Sequence, residues 1–190
     1  LLSPECSKAQ FVLGYKGYVQ LALRSGQYSD LDCMEIRQGE YLGKDPHTAK
    51  PQFKFIEDDD LRESLPIVGY MAYFEYLNGF RKCIYWSREK MLNHADTYSQ
   101  AFSKDAYDKI QNGQIADKDM WKYSSFWYKD FDSMAKKTLL RQLISKWGIM
   151  STEMQQALAD DSGIPAVDPR TGEIITDHSD ELELTTDAPQ

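Results

Sequence analysis

The sequence predicts an α+β fold in which helices pack against antiparallel strands, and three observations carry that prediction. Two segments, which begin near Tyr15 and Phe126, repeat apolar residues with the period of a helix. Residues 30–42 and 51–56 alternate apolar and polar side chains, as strands do. Residues 66–87 hold two β-rich arms around a turn signal. A chain of 190 residues is long enough to bury the core that such a domain needs.

The first third of the chain is predicted to form one helix and then two strands. The helix is expected from about Tyr15, and Gly26 stands where a left-handed residue ends a helix. The run over residues 30–42 alternates loosely and breaks at glycines, whereas the run over 51–56 alternates more cleanly. We therefore expect both runs to be strands.

The segment 66–87 is predicted to be a β-hairpin. Asn78 and Gly79 lie between its arms and form the dipeptide preferred in two-residue turns, because both central positions of that turn need a positive φ. A two-residue turn sets the pairing of the arms. The predicted pairs are Leu77 with Phe80, Tyr76 with Arg81, Glu75 with Lys82, Phe74 with Cys83 and Tyr73 with Ile84.

The second half of the chain is predicted to be mainly helical. Ser87 is an expected N-cap for a helix that runs to about Tyr98, with Glu89 in its first turn. The polar residues 103–122 are expected to form a loop or short helices. The remaining predicted elements are a long helix from about Phe126 to Trp147 that ends at Gly148, and one more helix over residues 151–162.

The charge of the chain is unevenly distributed. The formal net charge is −8, but residues 151–190 alone carry −9, so that residues 1–150 are close to neutral at +1. Residues 163–190 are rich in acidic residues and lack aromatic ones, which predicts an acidic, disordered tail after a core over residues 1–162. The balanced core is able to separate a basic face from an acidic one.

Two predicted helices each expose a narrow basic stripe. On the first helix, Lys16 and Arg24 lie within about one quadrant together with two glutamines, and this helix has no acidic residue. The long helix is apolar around most of its circumference, and Lys137 and Arg141 share the remaining stripe at a spacing of i, i+4. Such a pair is often only a solvated helix face. Two stripes on one chain favour contact with a polyanion.

Other basic and aromatic residues carry weaker indications. Lys129 and Lys136 lie elsewhere on the long helix, and the predicted hairpin pairing gives Arg81 and Lys82 cross-strand partners in Tyr76 and Glu75. Trp127 is a candidate for stacking on bases, although an aromatic residue at the start of a helix more often lies in the core. These residues form a second group of candidate nucleic-acid contacts.

The sequence contains no arrangement that indicates catalysis or a metal cofactor. Ser87 and Lys90 match an S-x-x-K pattern, but the other motifs of the acyl-serine enzymes do not follow, and an N-cap explains the serine better. The four acidic residues at 57–60 lack the spacing of a calcium loop. The three cysteines are scattered, which suits a reducing cytosol. We expect no enzyme, no cofactor and no membrane span.

Two long segments resemble one protein family. AQFVLGYKGYVQLALRSGQ (residues 9–27) and FWYKDFDSMAKKTLLRQLISKWGIMS (residues 126–151) resemble the two best-marked blocks of the RecT family, the phage and prophage recombinases that anneal complementary single strands. The order of the elements between the blocks also fits. The resemblance covers roughly residues 9–151.

The resemblance implies a β-hairpin-rich core, distantly like that of other annealing proteins, which assembles into rings or helical filaments. Such proteins hold single-stranded DNA in a basic groove of the homo-oligomer, pair it with a second strand and retain the duplex, without ATP. It further implies a partner 5′→3′ exonuclease, contact with the host single-strand-binding protein and a place in the bacterial cytoplasm. The segment that normally precedes the first block is expected to be absent or reduced to LLSPECSK.

The sequence therefore predicts a single-strand DNA annealing protein, with Lys16, Arg24, Lys137 and Arg141 as the first phosphate contacts. Three alternatives stay open at this point. A passive single-strand-binding module would use aromatic platforms without accelerating pairing. A structural protein would use the tyrosine-rich hairpin as an interface, and a metal-dependent nuclease would rest only on the acidic run at 57–60.

Overall fold

The computed structural model describes residues 14–162, and these residues form helices around antiparallel strands, so the predicted α+β fold is confirmed. The elements in chain order are α1 (Tyr15–Arg24), β1 (Tyr28–Arg37), β2 (Tyr41–Lys44), β3 (Pro51–Phe53), α2 (Asp59–Ser64), β4 (Ile67–Tyr76), β5 (Arg81–Ser87), α3 (Arg88–Tyr98), α4 (Lys104–Gln111), a 3₁₀ helix (Asp117–Lys122), α5 (Phe126–Lys129), α6 (Phe131–Trp147) and α7 (Thr152–Ser162). The predicted acidic tail lies outside the described residues.

The centre of the fold is a three-stranded antiparallel sheet in the order β1–β4–β5. Successive side chains of a strand point to opposite faces. In β4, Tyr70, Ala72 and Phe74 are fully buried, and α6 packs against this strand. One face of the sheet therefore packs on α6. β4 is the central strand and pairs with β1 on one side and with β5 on the other.

The hairpin between β4 and β5 exists as predicted, but its predicted register is wrong by one residue. Tyr76 N–H donates to the Phe80 carbonyl over 2.9 Å, which leaves three residues in the loop rather than two. Gly79 has a φ of +82° and its N–H donates to the Tyr76 carbonyl over 2.9 Å. A turn followed by one left-handed glycine is the usual three-residue hairpin loop.

The corrected register changes the partners of both basic residues in the hairpin. Arg81 lies opposite Glu75 and Lys82 lies opposite Phe74, whereas the two-residue turn predicted Tyr76 and Glu75 as their partners. An asparagine–glycine pair supplies a positive φ in loops of either length. The sequence signal therefore indicates a turn without deciding how many residues it contains.

The predicted strand over residues 30–42 is two strands. β1 ends at Arg37, the chain turns, and β2 pairs with β3 in a separate two-stranded sheet. Tyr41 of β2 stacks on Tyr85 of β5, with ring centroids 4.1 Å apart. The small sheet thus packs against β5, an edge strand of the large sheet, through aromatic contacts.

The long predicted helix is interrupted once and then forms the core of the protein. Asp130 has φ −147° and ψ 71°, which is not helical, and its carboxylate accepts a hydrogen bond from the Ser133 N–H over 3.1 Å. α5 and α6 are therefore two helices, and Asp130 is the N-cap of the second. Within α6, the side chains of Leu139, Leu140, Leu143 and Ile144 are fully buried.

The helix ends are formed as the sequence predicts. Gly26 follows α1 with a φ of +67°, and the Ser87 hydroxyl accepts a hydrogen bond from the Lys90 N–H at the start of α3. α6 ends at Trp147, and a Cβ on Gly148 would lie 2.5 Å from the Ile144 carbonyl oxygen and 2.7 Å from the Tyr28 hydroxyl. Gly148 is required by this close approach rather than by a positive φ.

Candidate nucleic-acid interface

The basic stripe of α1 lies on the protein surface as the sequence predicts. Tyr18 and Ala22 are fully buried and anchor the helix, while Lys16, Gln20 and Arg24 are exposed. No acidic residue occurs on α1, and neither cation of the stripe makes an ion pair within the described residues. Arg24 also lies in the last turn, where the helix dipole favours a positive charge. The stripe is open to a polyanion.

The basic stripe predicted on the long helix is buried, which corrects that expectation. Lys137 and Arg141 are each 3% exposed. α6 packs against β4, β1, β5 and α1, so side chains on every side of its middle turns are covered. Both cations take part in interactions within the chain. In this arrangement neither reaches a phosphate in solvent.

Lys136 lies on α6 as well, and it joins this helix to the sheet. Its ammonium group is 2.9 Å from a carboxylate oxygen of Glu35 in β1 and 4.9 Å from the ring centroid of Tyr15. Burial opposes the charged form, but the hydrogen bond and charge of Glu35 outweigh it and raise the pKa of Lys136. The structure gives this lysine a partner that it would have to leave in order to bind DNA.

Arg81 is exposed, but its charge is already matched. Its guanidinium makes two hydrogen bonds to Glu75 in the neighbouring strand, from Nε to Oε2 over 2.6 Å and from Nη2 to Oε1 over 3.1 Å. These contacts raise the pKa of Arg81. Arg88, which the sequence did not single out, is similarly held by Asp132 over 2.8 Å and by the hydroxyls of Tyr70 and Tyr107. Such pairs reduce the attraction of a cation for phosphate.

Trp127 lies in the core, which is the more common position for an aromatic residue at the start of a helix. It is 1% exposed and packs against Phe102 and Phe131, with ring centroids 5.8 and 5.3 Å away. A ring buried in this way offers no open face to a base in this arrangement, and stacking by Trp127 stays a prediction. Lys129, two residues later, is exposed and lies 5.5 Å above the ring of Phe126.

Lys82 belongs to a surface that sequence reasoning missed. Its ammonium lies 4.4 Å from the ring centroid of Trp147, and the ammonium of Lys146 lies 5.1 Å from the same ring. Trp147 is 36% exposed at the end of α6. The sequence showed only a Lys-Trp-Gly helix end, and the lysine of β5 is brought to it by the packing of α6 on the sheet.

The C-terminal end of α1 lies at the same end of the molecule. Leu77 N–H, in the hairpin loop, donates to the Gln27 carbonyl over 3.1 Å. The Tyr28 hydroxyl donates to the Ile149 carbonyl over 2.9 Å. The chain that leaves α1 thus contacts both the hairpin loop and the segment after α6. Three basic residues therefore approach one end of the protein, namely Arg24, Lys82 and Lys146.

A second group of exposed lysines, also missed from the sequence, lies on the small sheet. Lys44, Lys50 and Lys54 are exposed on or beside β2 and β3 and make no ion pair within residues 14–162. The acidic run 57–60 follows directly along the chain and is exposed too. This group is a weaker candidate for DNA binding than the surface around α1, because the neighbouring carboxylates repel an anion.

The acidic run does not form a metal centre in the described part of the chain. Among residues 14–162 no group of three or more histidine, cysteine, aspartate or glutamate side chains is placed to hold a metal ion. Asp58 instead caps α2, since its carboxylate accepts the Leu61 N–H over 3.0 Å. None of the helices described in this range has the length and apolar character needed to cross a membrane.

Comparisons with known proteins agree with the resemblance seen in the sequence. The RecT family matches residues 5–175. The chain is 38% identical over 186 residues to the uncharacterized protein YqaK of Bacillus subtilis (strain 168), which covers 98% of this chain and 55% of YqaK. It is 26% identical over 174 residues to protein RecT of Escherichia coli (strain K12), which covers 88% of this chain and 53% of that protein. The chain thus spans about half the length of these curated relatives.

Proposed function

The chain belongs to the RecT family of phage recombination proteins, and from that premise we propose that it anneals complementary single strands of DNA without ATP. In this proposal a first strand binds through its phosphates and leaves its bases open. A second strand then pairs with those bases, and the duplex is retained. The reaction makes and breaks no covalent bond, because base pairing supplies both the specificity and the driving force.

The observation that carries the proposal is the exposed stripe of α1. Lys16 and Arg24 lie on a helix that is anchored by buried Tyr18 and Ala22 and that carries no acidic residue. Contacts to phosphates position a strand without reading its sequence, which an annealing protein requires. We assign the first phosphate contacts to Lys16 and Arg24, and the next to Lys82 and Lys129. Lys137 and Arg141, being buried, are not in this set.

We further propose that protomers assemble as a homo-oligomer, either a ring or a helical filament. Lys16 and Arg24 are two turns apart on one helix and serve only a few phosphates. Repeating this pair from protomer to protomer would give a continuous basic path along a strand. A 5′→3′ exonuclease that produces the single strand and the host single-strand-binding protein are the proposed partners in the bacterial cytoplasm.

The experiment that tests the function is annealing of two complementary oligonucleotides, added one after the other, with and without the chain at several salt concentrations. We expect faster pairing without nucleotide, with the product duplex still bound. An affinity that falls linearly with salt on a logarithmic scale would be the signature of phosphate contacts. If the protein binds neither strand even at low salt, the proposed function is wrong.

A passive single-strand-binding module is the second candidate, and the exposed Trp147 beside two lysines favours it. Passive binders combine basic grooves with aromatic stacking platforms. The same experiment separates the two functions. Tight binding of the first strand with no acceleration of pairing would indicate the passive module, whereas acceleration indicates annealing.

A further inference from the structure

Trp147 offers an exposed aromatic surface with two cations close to its ring. It is 36% exposed, and the ammonium groups of Lys82 and Lys146 lie 4.4 and 5.1 Å from its ring centroid. The two lysines come from different elements, β5 and α6, so that their arrangement around the ring is a product of the fold. Lysines beside an aromatic ring suit a ligand that has a flat apolar part and flanking negative charges.

The backbone under Trp147 is fixed on both sides by tyrosine hydroxyls. The Tyr76 hydroxyl donates to the Trp147 carbonyl over 2.9 Å and accepts the Ile149 N–H over 2.6 Å. The Tyr28 hydroxyl donates to the Ile149 carbonyl over 2.9 Å. Because these bonds hold the backbone on either side of Gly148, little backbone freedom is lost at Trp147 when a ligand packs on its ring.

Further exposed apolar side chains lie on the two segments that the Tyr76 hydroxyl joins, the hairpin loop and the chain after α6. The ring of Phe80 stacks on that of Tyr76 with centroids 5.8 Å apart, and Phe80 is 49% exposed. Leu77, in the same hairpin loop, is 72% exposed, and Ile149 is 47% exposed. We name Trp147 with its two lysines, together with these exposed apolar side chains, the end patch.

We propose that Trp147 stacks on an unpaired base of single-stranded nucleic acid, while Lys82 and Lys146 bind the phosphates on either side of that base. This inference rests on the single-strand binding of the proposed function, because it names the part of the strand that one site recognises. Stacking covers one face of a base and leaves its pairing edge open to the second strand. An exposed cation–π contact contributes about two- to fivefold to an equilibrium, whereas stacking of one base contributes about fivefold to more than a hundredfold. A base therefore displaces the ammonium groups, which then turn to the phosphates.

Trp121 shows what the end patch has that another exposed tryptophan lacks. It is 71% exposed, and Lys122 lies 5.7 Å from its ring centroid. The ammonium of Lys122, however, binds the carboxylate of Asp119 over 2.9 Å. An anion is thus already present beside Trp121. This residue provides a matched control, because it shares the exposure and the neighbouring lysine but not the open charge.

The test compares Trp147→Ala, Trp147→Phe and Trp121→Ala on two ligands of equal length, oligo-dT and an abasic deoxyribose-phosphate chain. We expect Trp147→Ala to bind oligo-dT about 5- to 100-fold more weakly than the unchanged protein, and to bind the abasic chain equally well. Trp147→Phe keeps a ring and is expected to retain most of the affinity. Trp121→Ala is expected to match the unchanged protein on both ligands.

The outcomes separate this inference from the function on which it rests. If the unchanged protein binds neither ligand, both are wrong. If it binds oligo-dT and Trp147→Ala binds as tightly, only the stacking site is wrong. Equal losses on both ligands would mean that Trp147 supports the fold or the phosphate contacts, which also overturns the inference. A loss of the oligomer also overturns the inference. If Trp147→Ala dissociates in sedimentation but keeps its preference for oligo-dT over the abasic chain, the end patch binds a second copy of the protein and not a base.

Discussion

The stripes on α1 and α6 look alike in sequence and have opposite environments in the fold. Both place two cations on one face of a helix whose remaining surface is largely apolar. On α1 the pair Lys16 and Arg24 is exposed, whereas on α6 the pair Lys137 and Arg141 is 3% exposed. A helical wheel gives the direction of a side chain, but the elements packed around the helix decide whether that direction leads to solvent.

The two positions follow from where each helix lies. α1 is the first described element and covers the fold from outside, with one face on β1 and α6. α6 is packed by three strands and by α1, so a stripe that is polar in sequence still meets protein. Buried cations are retained only when the fold supplies interactions for them. The α1 pair is therefore suited to binding a ligand, and the α6 pair to holding the fold.

The largest effect expected from this difference is on stability. Lys137→Ala and Arg141→Ala should each lower the free energy of unfolding by about 2 to 4 kcal/mol, since each removes a long buried side chain and its interactions. Lys16→Ala and Arg24→Ala should leave the midpoint of urea unfolding unchanged. Urea titrations followed by circular dichroism measure both. If the α6 variants had unchanged midpoints, Lys137 and Arg141 would lie at the surface, and the two stripes would not differ in environment.

Glu40 sharpens the same contrast, because it is a buried charge whose partners are all described. It is fully buried, and burial alone would raise its pKa, but hydrogen bonds from Arg62 at 2.6 Å and from the Arg37 and Ile56 N–H groups lower it. A carboxylate with a lowered pKa stabilises the fold above its unfolded pKa, 4.5, and this contribution is lost as the pH falls through the folded pKa.

Glu40→Gln should therefore destabilise the protein by about 1 to 3 kcal/mol at pH 7. The difference in free energy of unfolding between the two proteins should shrink as the pH falls below 4.5. Unfolding by urea at pH 7, 5 and 3.5 measures the dependence. Glu63→Gln on α2 is the control, because Glu63 is an exposed acidic residue close along the chain. If the difference in free energy of unfolding between the two proteins stayed constant with pH, the charge of Glu40 would contribute nothing to stability.

The Glu40 contact also shows where sequence reasoning stops. Arg62 lies 22 residues after Glu40, and Lys136 lies 101 residues after its partner Glu35. No local pattern connects such residues, so neither pair was predicted. Period and caps did predict α1, the hairpin, α3 and the apolar character of α6, because those features depend on neighbours within a few residues.

The hairpin shows which features follow from the local sequence and which depend on packing with distant residues. Asn78-Gly79 was enough to predict a turn, but the number of loop residues depends on how β4 is held. β4 pairs with β1 on its other side and turns Tyr70 and Phe74 into the core, and a one-residue slip of β5 against it would move each β5 side chain to the other face of the sheet. The partners of Arg81 and Lys82, and with them the end patch, were therefore out of reach of the sequence.

The α1 stripe itself is tested by DNA affinity. Lys16→Ala together with Arg24→Ala should weaken binding of oligo-dT roughly 10- to 30-fold at about 0.1 M salt and reduce the slope of log affinity against log salt by about 1.4. Lys109→Ala together with Lys118→Ala is the matched control, because it removes the same charge from exposed lysines elsewhere. Equal losses in both double variants would mean that only net charge matters.

The smallest effect concerns Arg81, an exposed cation that differs from Arg24 in having a carboxylate partner. Its two hydrogen bonds to Glu75 match its charge, so we expect Arg81→Ala to change the affinity for oligo-dT less than Arg24→Ala does. Glu75→Gln should free the guanidinium and tighten binding about two- to fivefold, roughly one phosphate contact. Glu89→Gln, at an exposed position of α3, makes the same change in net charge and should have no such effect. Fluorescence anisotropy of a labelled oligonucleotide measures all four variants. If Glu75→Gln and Glu89→Gln tighten binding equally, the pairing of Arg81 is irrelevant, and exposure alone distinguishes the cations that reach DNA from those that do not.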